Sequence, residues 1–490
     1  MKPRMTYSSC LIILFFSLLS ITSCESSINT ESTIEDLIRQ YHEIGQFNGA
    51  VLVSHNNKVI FEGAFGEANR EWNIRNTIDT KFRLGSATKP FTAALIMKLV
   101  EEGKIDLGGN VSDYLPEFRR DIGQIVTIHH LLTHSSGVTM REMTTEQYWD
   151  FFQRRMTKKQ LIDSLCSGDL AFKPGERFSY SSAGYMLLGA VIESVTGKSY
   201  AQVLQEQIFD PFEMHDTGID DPDVILSKRA SGYQTNYGLG NARYKYMPNS
   251  YSSGALYSTV RDLYKWDQAL NSNDFLNENS KNLMFSPKLE SHRGPFGYGW
   301  FIEKMPMADS TQTRVFHAGD VSGFCALIVR TLETDDCVVL LSNQEGLHYY
   351  DIAFNILDVL NGQESDHPRE YVADVLRNAI FSEGLDIALE NFGKMKSRGL
   401  ENYNTDEDEI VELGYDLLNI ERIFEAITVF KINVELHGES SNAYDSLGEA
   451  CFKAGKYQEA LANYQKALEL DPGNENASMM IQKIKDILRT

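Results

Sequence analysis

The chain has 490 residues, of which 42% are hydrophobic and 23% are charged. This length predicts two to three domains, and the composition is typical of a folded soluble protein rather than a disordered, collagen-like or multi-span membrane protein. The chain has 46 lysine and arginine residues against 68 aspartate and glutamate residues, so its formal net charge is −22. A chain this acidic is repelled by a phosphate backbone, so nucleic acid is not an expected partner.

The N-terminal residues predict export and lipid attachment. Lys2 and Arg4 precede an apolar run over residues 11–19, which is too short to span a bilayer comfortably and has the position of a signal-peptide core. The small residues before Cys24 resemble the lipobox of bacterial lipoproteins, in which the cysteine is lipidated and becomes the mature N-terminus. We therefore expect residues 1–24 to be a lipoprotein signal and the mature protein to be exported and anchored to a membrane by lipid on Cys24, on the periplasmic or cell-surface side. The alternative is an ordinary signal peptide that contains a cysteine.

A polar linker over residues 25–33 leads to a region whose strands lie at its two ends. Hydrophobic patterning predicts a helix over 34–44, strands over 49–54 and 58–65, mostly helices from 86 to 270, strands over 296–303, 323–332 and 337–342, and a helix over 350–360. Strands at both ends with helices between them predict one antiparallel sheet built from distant segments. The fold class expected for residues 34–362 is therefore α+β, with a helical subdomain.

The cysteines are predicted to be buried thiols. Four remain after the signal region, namely Cys166, Cys325, Cys337 and Cys451. No two of them have the spacing of metal ligands or of a Cys-x-x-Cys motif. Cys325 and Cys337 lie near opposite ends of a predicted hairpin, so a disulfide between them is not expected.

The C-terminal part contains an internal repeat. Gly448 and Tyr464 have counterparts in Gly414 and Phe430, each 34 residues earlier, and a weaker copy has Ala388 and Phe392. This is the period of tetratricopeptide (TPR) repeats, so we expect a degenerate repeat or connector over 363–406 and an all-α TPR domain over 407–490 that ends in a capping helix. Stacked helix pairs leave a groove that usually binds a peptide or another protein, whereas the alternative is a plain helical bundle. The acidic run over residues 406–409 is expected to begin a helix rather than to bind a cation.

Ser86-Ala87-Thr88-Lys89 is the main candidate for chemistry. If Ser86 opens the apolar helix that follows, Lys89 projects from the same helix face. A lysine in a partly dry pocket loses its proton readily and then acts as a base toward the serine hydroxyl. The pattern alone is weak, because Ser86 also suits a helix N-cap.

Further segments follow Ser86 in a definite order. They are Ile128-His129-His130-Leu131-Leu132-Thr133-His134-Ser135-Ser136-Gly137, Lys173-Pro174-Gly175-Glu176-Arg177-Phe178-Ser179-Tyr180-Ser181-Ser182, Ile208-Phe209-Asp210-Pro211-Phe212-Glu213-Met214, Ser253-Gly254-Ala255-Leu256-Tyr257-Ser258-Thr259 and His317-Ala318-Gly319. In this order they resemble the class C side of the serine β-lactamase-like superfamily, which includes class C β-lactamases, D,D-carboxypeptidases, D-aminopeptidases and related esterases. The resemblance covers about residues 34–362.

The resemblance implies roles for individual residues. Ser86 would be the acylated nucleophile, Lys89 would activate it, and Tyr180 would shuttle a proton to the leaving group. The backbone N–H groups of Ser86 and Asp320 would form the oxyanion hole. Ser182, His317 and Gly319 would contact the substrate. The implied reaction is acyl transfer to water without metal or cofactor, on a D-amino-acid peptide or amide, an ester or a β-lactam.

Two positions depart from the family's usual motifs. The second motif usually reads Tyr-x-Asn, whereas Ser182 stands here in place of the asparagine and has a shorter side chain. His317 stands where β-lactamases have lysine, and a histidine is only partly charged near neutral pH. Both departures count against an efficient β-lactamase.

Two other interpretations compete with a hydrolase. His130 and His134 are four residues apart, as zinc ligands on a helix can be, but the glutamate of the metalloprotease motif is absent between them. The superfamily also includes penicillin-recognising sensors that are acylated once, so the chain could be a sensor or a TPR-based scaffold lipoprotein with little turnover.

Overall fold

The computed structural model describes residues 30–141, 143–306 and 311–489. The lipobox prediction for Cys24 lies outside these residues. The chain divides into two compact units: the first contains the residues up to Tyr233 together with Asn241–His367, and the second contains Gln234–Gly240 and the residues from Pro368 onward. Within the described residues, every helix is too short or too polar to cross a membrane.

An eight-stranded antiparallel sheet organises the first unit. Its strands are β1 (Gly49–His55), β2 (Lys58–Phe65), β3 (Leu289–Ser291), β4 (Gly294–Phe296), β5 (Phe301–Pro306), β6 (Thr311–Val321), β7 (Phe324–Thr331) and β8 (Asp336–Ser342). They lie in the order β3-β4-β5-β6-β7-β8-β1-β2. The N-terminal strands thus pair with the last strand of the unit, and the predicted α+β class is confirmed.

Both faces of the sheet are buried, as the alternation within β1 shows. Ala50 and Leu52 pack into the core that contains most of the helices, whereas Val51 and Val53 pack against the helix over residues 30–43 and helix Tyr349–Leu360. Successive side chains of a strand point to opposite faces, so a central strand of a covered sheet is apolar throughout.

Helices of the first unit form the layer on the side of Ala50 and Leu52. They are Lys89–Glu101, Val111–Tyr114, Arg120–Gly123, Ile128–Leu132, Thr145–Gln153, Lys158–Leu161, Ser182–Thr196, Tyr200–Leu204, Tyr251–Gly254, Val260–Asn271 and Glu278–Met284. A small sheet formed by Phe82–Arg83, Leu256–Ser258 and Gly218–Ile219 leads into the first of these helices.

Two strand predictions need correction. The predicted strand over 296–303 is interrupted, because Gly299 has a φ of +81° and the N–H of Gly297 turns to bond the carbonyl of Trp300 at 2.8 Å. The long strand β6 was not predicted. Gln312 and Arg314 are buried polar residues of this strand. They hide the apolar alternation by which strands are identified in a sequence.

The hairpin of β7 and β8 agrees with the prediction. Cys325 lies opposite Ser342 and Cys337 lies opposite Arg330, at opposite ends of the ladder. All four predicted thiols are free and buried.

The second unit consists of helices in antiparallel pairs. They are Val372–Ser382, Leu385–Arg398, Glu407–Asn419, Ile423–Leu436, Ser441–Lys453, Tyr457–Leu470 and Glu475–Arg489. Asp406 caps the third of these by accepting from the N–H groups of Asp408 and Glu409, as expected for the acidic run. A Cβ at Gly414 would lie 2.3 Å from the ring of Phe430, and one at Gly448 would lie 3.1 Å from the ring of Tyr464. The repeated glycine therefore lets a large ring from the partner helix pack against the backbone.

Candidate active site

Ser86 and Lys89 are aligned by the local backbone. Gly85–Thr88 forms a 3₁₀ turn that continues directly into the α-helix Lys89–Glu101. A 3₁₀ helix has three residues per turn, so side chains three positions apart lie above one another. The Lys89 Nζ accordingly donates a hydrogen bond to the Ser86 Oγ at 2.9 Å.

Lys89 is an unusual lysine because its side chain is fully buried. Its ammonium also contacts the Ser253 carbonyl at 2.9 Å and the Ser182 Oγ at 3.4 Å, and it forms no salt bridge with any carboxylate of the described residues. Burial lowers the pKa of Lys89 to about 7, and the charge of Lys245 adds to this effect. A substantial fraction of Lys89 is therefore neutral near pH 7 and able to accept the Ser86 proton.

Tyr180 places a phenol at the same serine. It immediately precedes Ser181, whose side chain caps the helix Ser182–Thr196, and its own side chain forms a hydrogen bond with Ser86. The Lys89 Nζ lies 4.8 Å from the centroid of the Tyr180 ring. Burial raises the pKa of Tyr180 above its ordinary value, so the phenol keeps its proton at neutral pH. The side chain is 38% exposed, which leaves it accessible to a substrate.

His134 supports Tyr180 from the protein side. Its ring lies 4.3 Å from the Tyr180 ring at an interplanar angle of 33°, and its Nδ1 accepts a hydrogen bond from the Ser181 N–H at 3.0 Å. Burial holds the pKa of His134 well below its ordinary value, so the imidazole is neutral. His134 also has a φ of +55°, a left-handed conformation that costs energy for a residue other than glycine. From the sequence, His134 was expected to belong to a family segment and was weighed as a zinc ligand, but its position against Tyr180 was not predicted.

The two histidines of the zinc hypothesis have different partners. The His130 Nδ1 accepts from the Thr127 N–H at 3.2 Å and completes a capping box at the start of Ile128–Leu132, whereas His134 bonds the Ser181 N–H. Among the described residues, no three His, Cys, Asp or Glu side chains come together as a metal site would require.

Gly319 allows β6 to lie directly against the nucleophile. A Cβ at this position would be 1.9 Å from the Leu84 carbonyl oxygen and 2.7 Å from the Ser86 nitrogen. A Cβ at Gly85 would likewise be 3.0 Å from the Asp320 nitrogen. The backbone nitrogens of Ser86 and Asp320 are thus neighbours because both positions beside them lack a side chain.

The register of β6 decides where the Asp320 N–H points. The turn Ser322-Gly323 has φ values of +35° and +82°, as in a type I′ hairpin closed by Val321 and Phe324. Hydrogen-bonded pairs alternate from that closing pair, so Asp320 opposite Cys325 is a non-hydrogen-bonded pair and its N–H points away from β7. On that side, β5 pairs with β6 only as far as Phe316 in the described part of the chain. The N–H of Asp320 therefore projects from an open strand edge beside Ser86, with the direction that an oxyanion hole needs.

His317 is neutral in this site. Its side chain is 1% exposed, and burial together with the charge of Lys89 lowers its pKa to about 3. The His317 Nδ1 lies 2.6 Å from the Ala318 carbonyl and donates to it, so the Nε2 of the neutral ring carries the lone pair. This Nε2 is buried without a hydrogen-bond partner among the described residues. The ring centroid lies 6.2 Å from that of Tyr180, so His317 places an uncharged acceptor beside the phenol.

The structure thus brings together Ser86, Lys89, Tyr180, Ser182, His317 and the backbone of Gly319 and Asp320. Ser182 lies beside Lys89, where its hydroxyl accepts a hydrogen bond from the ammonium. Its predicted contact with substrate remains a prediction, as do the catalytic roles of the other residues.

Comparison with known proteins assigns parts of both units to known families. The Beta-lactamase family profile matches residues 34–360, and the Tetratricopeptide repeat profile matches residues 441–474. The first unit has the fold of this family, and Ser86, Lys89 and Tyr180 come together within it. The chain belongs to the beta-lactamase family, whose members are typically serine hydrolases, and it carries a C-terminal TPR region of the kind that mediates protein interaction.

Individual relatives cover most of the first unit. A penicillin-binding protein of Bacillus subtilis (strain 168) is 30% identical over 378 residues, which are 72% of this chain and 80% of that protein. The protein flp of Staphylococcus aureus (strain MW2) is 26% identical and covers 71% of this chain and 69% of its own length.

Solved structures show the same fold. A penicillin-binding protein homologue from Pyrococcus abyssi superposes with a TM-score of 0.61 at 28% identity, over 68% of this chain and 78% of that one. A D-amino acid amidase from Ochrobactrum anthropi SV3 superposes with a TM-score of 0.57 at 22% identity, over 69% and 98%, and shares the fold.

Proposed function

We propose that this protein is a metal-independent serine hydrolase that cleaves a small ester or amide, of an amino acid or short peptide, through an acyl-Ser86 intermediate. The observation that carries the proposal is the 2.9 Å hydrogen bond between Ser86 and Lys89, a fully buried lysine whose pKa is lowered to about 7. A structural lysine has no need of this arrangement, since burying an amine without a carboxylate partner destabilises its charged form.

The residues support a definite sequence of proton transfers. Neutral Lys89 takes the proton of the Ser86 hydroxyl as the Oγ attacks the substrate carbonyl, and the N–H groups of Ser86 and Asp320 stabilise the oxyanion. The bond to the leaving group then breaks, and the leaving group receives a proton through Tyr180, which is reprotonated from Lys89. Water repeats the same steps on the acyl-enzyme and releases the acid.

His317 favours an ester or amide over a β-lactam as substrate. A β-lactamase lysine supplies a permanent positive charge for the carboxylate of its substrate, whereas His317 is neutral. A D-amino acid amidase is among the proteins that share this fold, and this supports an amide as the substrate. D-amino-acid peptides and β-lactams remain substrates to be compared directly.

We propose that the N-terminal signal and the TPR helices determine where this hydrolase is located. Lipidation of Cys24 would hold it at a membrane on the exported side, and the groove of the TPR helices would bind a peptide or protein partner. Cys24→Ser should move the protein from the membrane fraction to the soluble fraction, and an unchanged distribution would contradict the lipid anchor.

Hydrolysis itself is tested with p-nitrophenyl acetate, with the purified full chain and its Ser86→Ala variant. Sustained release that depends on Ser86 and is unaffected by EDTA is the expected result. A single stoichiometric burst would instead identify a sensor that is acylated once, and release unaffected by Ser86→Ala would contradict the assignment of the nucleophile.

A further inference from the structure

The last residues of β6 are restrained by a neighbouring strand on one side only. In the described part of the chain, β5 pairs with β6 as far as Phe316, whereas β7 pairs with it up to Val321. Hydrogen-bonded pairs alternate along the ladder, so Gly319 and Val321 bond to β7, and the N–H and carbonyl of Asp320 both point away from it. The sheet ladder by itself therefore leaves the direction of the Asp320 N–H weakly fixed.

The side chain of Asp320 is held on the opposite face of the sheet from the helical layer. Strand alternation directs Val321 toward the helical layer, and Phe316 and Asp320 toward the other face. On that face, the Asp320 Oδ2 accepts a hydrogen bond from the Tyr349 hydroxyl at 2.8 Å. The carboxylate is thus directed away from Ser86, although the N–H of the same residue projects beside it.

Tyr349 belongs to a helix that is firmly packed on this face. It is the first residue of Tyr349–Leu360, whose Ile352 shares a buried core with Leu327 of β7. Burial and, after it, the charge of Asp320 raise the pKa of Tyr349 above its ordinary value, so the hydroxyl keeps its proton and donates. The hydrogen bond therefore ties the end of β6 to a rigid element.

A second contact from the same part of the chain holds the hairpin turn. The Glu345 Oε2 accepts a hydrogen bond from the Gly323 N–H at 3.0 Å. Glu345 acts on the turn, whereas Tyr349 acts on the residue whose own N–H would face the substrate. The nitrogen and the Cβ of Asp320 are both bonded to its Cα, so a fixed carboxylate limits rotation of that N–H.

We propose that Tyr349 is a positioning residue, which holds the Asp320 carboxylate so that the Asp320 N–H stays directed at the oxyanion of the substrate. This inference rests on the proposed hydrolase function and adds a residue that touches neither the substrate nor Ser86. Donors stabilise an oxyanion best when their direction is fixed before the reaction. Because the full charge on oxygen develops only in the transition state, loss of this support affects kcat more than substrate binding.

The test compares Tyr349→Phe with the wild-type full chain on p-nitrophenyl acetate. Phenylalanine keeps the ring and removes only the hydroxyl. We expect kcat to fall about tenfold while KM stays within about twofold of wild type. The affinity for phenylboronic acid, whose tetrahedral adduct with a serine hydroxyl imitates the oxyanion, should fall by a similar factor. Tyr264→Phe is the matched control: it removes a hydroxyl that donates to the Asn57 carbonyl at 3.0 Å and should leave both quantities unchanged.

A double-variant cycle tests whether Tyr349 acts through Asp320. Asp320→Ala removes the acceptor but keeps the backbone N–H, and it should lower kcat about as much as Tyr349→Phe. The double variant should be no worse than Asp320→Ala, because the two side chains form one contact. Asp320→Asn retains an oxygen acceptor for the Tyr349 hydroxyl and should recover part of the loss.

Several outcomes would overturn the inference. Unchanged kcat and unchanged boronic acid affinity in folded Tyr349→Phe would do so, while Ser86-dependent hydrolysis would leave the proposed function standing. Additive losses in the double variant, or a loss confined to KM, would also contradict it. If circular dichroism shows that Tyr349→Phe is unfolded, wild-type kcat in Asp320→Ala would overturn the inference, since that variant removes the same hydrogen bond. If the wild type shows no turnover through Ser86, the proposed function fails, and equal boronic acid affinities with and without the Tyr349 hydroxyl would overturn the inference separately.

Discussion

The candidate active site and the TPR helices are built by opposite rules. Ser86, His134, Tyr180 and His317 come from segments far apart in the chain, and the Nε2 atoms of His134 and His317 are buried without a hydrogen-bond partner among the described residues. In the repeat, Gly414 meets Phe430 and Gly448 meets Tyr464 within adjacent helices, and these contacts are apolar. Burial in the candidate active site lowers the pKa of Lys89, His134 and His317. The glycine–ring contacts of the repeat contribute only to packing.

This difference separates residues expected to act in catalysis from residues expected to stabilise the fold. Burying Lys89 without a carboxylate disfavours its charged form, so a site that retains it is expected to use its reactivity. The repeat contacts follow from nearest-neighbour stacking and predict stability and a binding surface. The predictions that follow test whether the two kinds of contact affect activity and stability separately.

The largest effect is expected at the nucleophile. Ser86→Ala should reduce kcat by about 10⁴-fold or more, and Lys89→Ala should reduce it by about 10³-fold or more, because the two side chains act as one unit. The double variant should be scarcely worse than Ser86→Ala. Steady-state kinetics with a p-nitrophenyl ester measures all three, and strictly additive losses would show that Lys89 does not act through Ser86.

Gly319→Ala should reduce kcat/KM by about 10²-fold or more, since the added Cβ would force β6 away from Ser86 and widen the oxyanion hole. Gly168→Ala is the matched control, because a Cβ there has no neighbour within 4 Å. Circular dichroism checks that both variants are folded. Wild-type activity in Gly319→Ala would mean that Asp320 does not donate to the oxyanion.

The pH profile should show one acidic limb. Protonated Lys89 cannot accept the Ser86 proton, so kcat/KM for a neutral ester should fall about tenfold per pH unit below the pKa of about 7 and reach a plateau above it. His317 has a pKa of about 3 and should not contribute, so His317→Asn should leave the position of the limb unchanged.

The same lysine should affect stability in a definite direction. Its pKa is about 7 in the folded protein against an ordinary 10.5, so between these values the unfolded chain binds a proton that the folded chain has lost. Lys89 therefore makes the free energy of unfolding rise with pH in this window, and Lys89→Met should remove that contribution. Urea denaturation at several pH values measures the free energy of unfolding as a function of pH. If this free energy has the same pH dependence in both proteins, the lowered pKa of Lys89 is contradicted.

The smallest effect on activity is expected in the repeat. Gly414→Ala should destabilise the second unit by about 1–3 kcal/mol, because the Cβ would overlap the Phe430 ring, and should leave ester hydrolysis within about twofold of wild type. Gly393→Ala, at an exposed helical position with nothing within 4 Å, should instead stabilise the unit by about 0.5–1 kcal/mol. Thermal unfolding followed alongside the ester assay separates the two effects, and a large loss of activity in folded Gly414→Ala would show that the repeat contributes to catalysis.

Elements with local signals could be predicted from the amino-acid sequence. Two positive-φ asparagines, Asn56 and Asn57, form the turn between β1 and β2 that the sequence predicted, and the 34-residue period located the paired helices because each pair needs only its neighbours. The order of motifs around Ser86, Tyr180 and His317 was sufficient to indicate the family. Strand β6 escaped prediction, because Gln312 and Arg314 interrupt the apolar alternation at buried positions.

The electrostatics of the site, in contrast, arise only when the chain folds. The sequence shows a lysine and two histidines, but their pKa values depend on burial, which arises when the helical layer and the sheet close around them. The stacking of His134 on Tyr180 joins residues 46 positions apart, and the direction of the Asp320 N–H depends on the hairpin register set by Ser322 and Gly323. Short-range patterns carry no information on such contacts, because the chain separates the partners and only the fold brings them together.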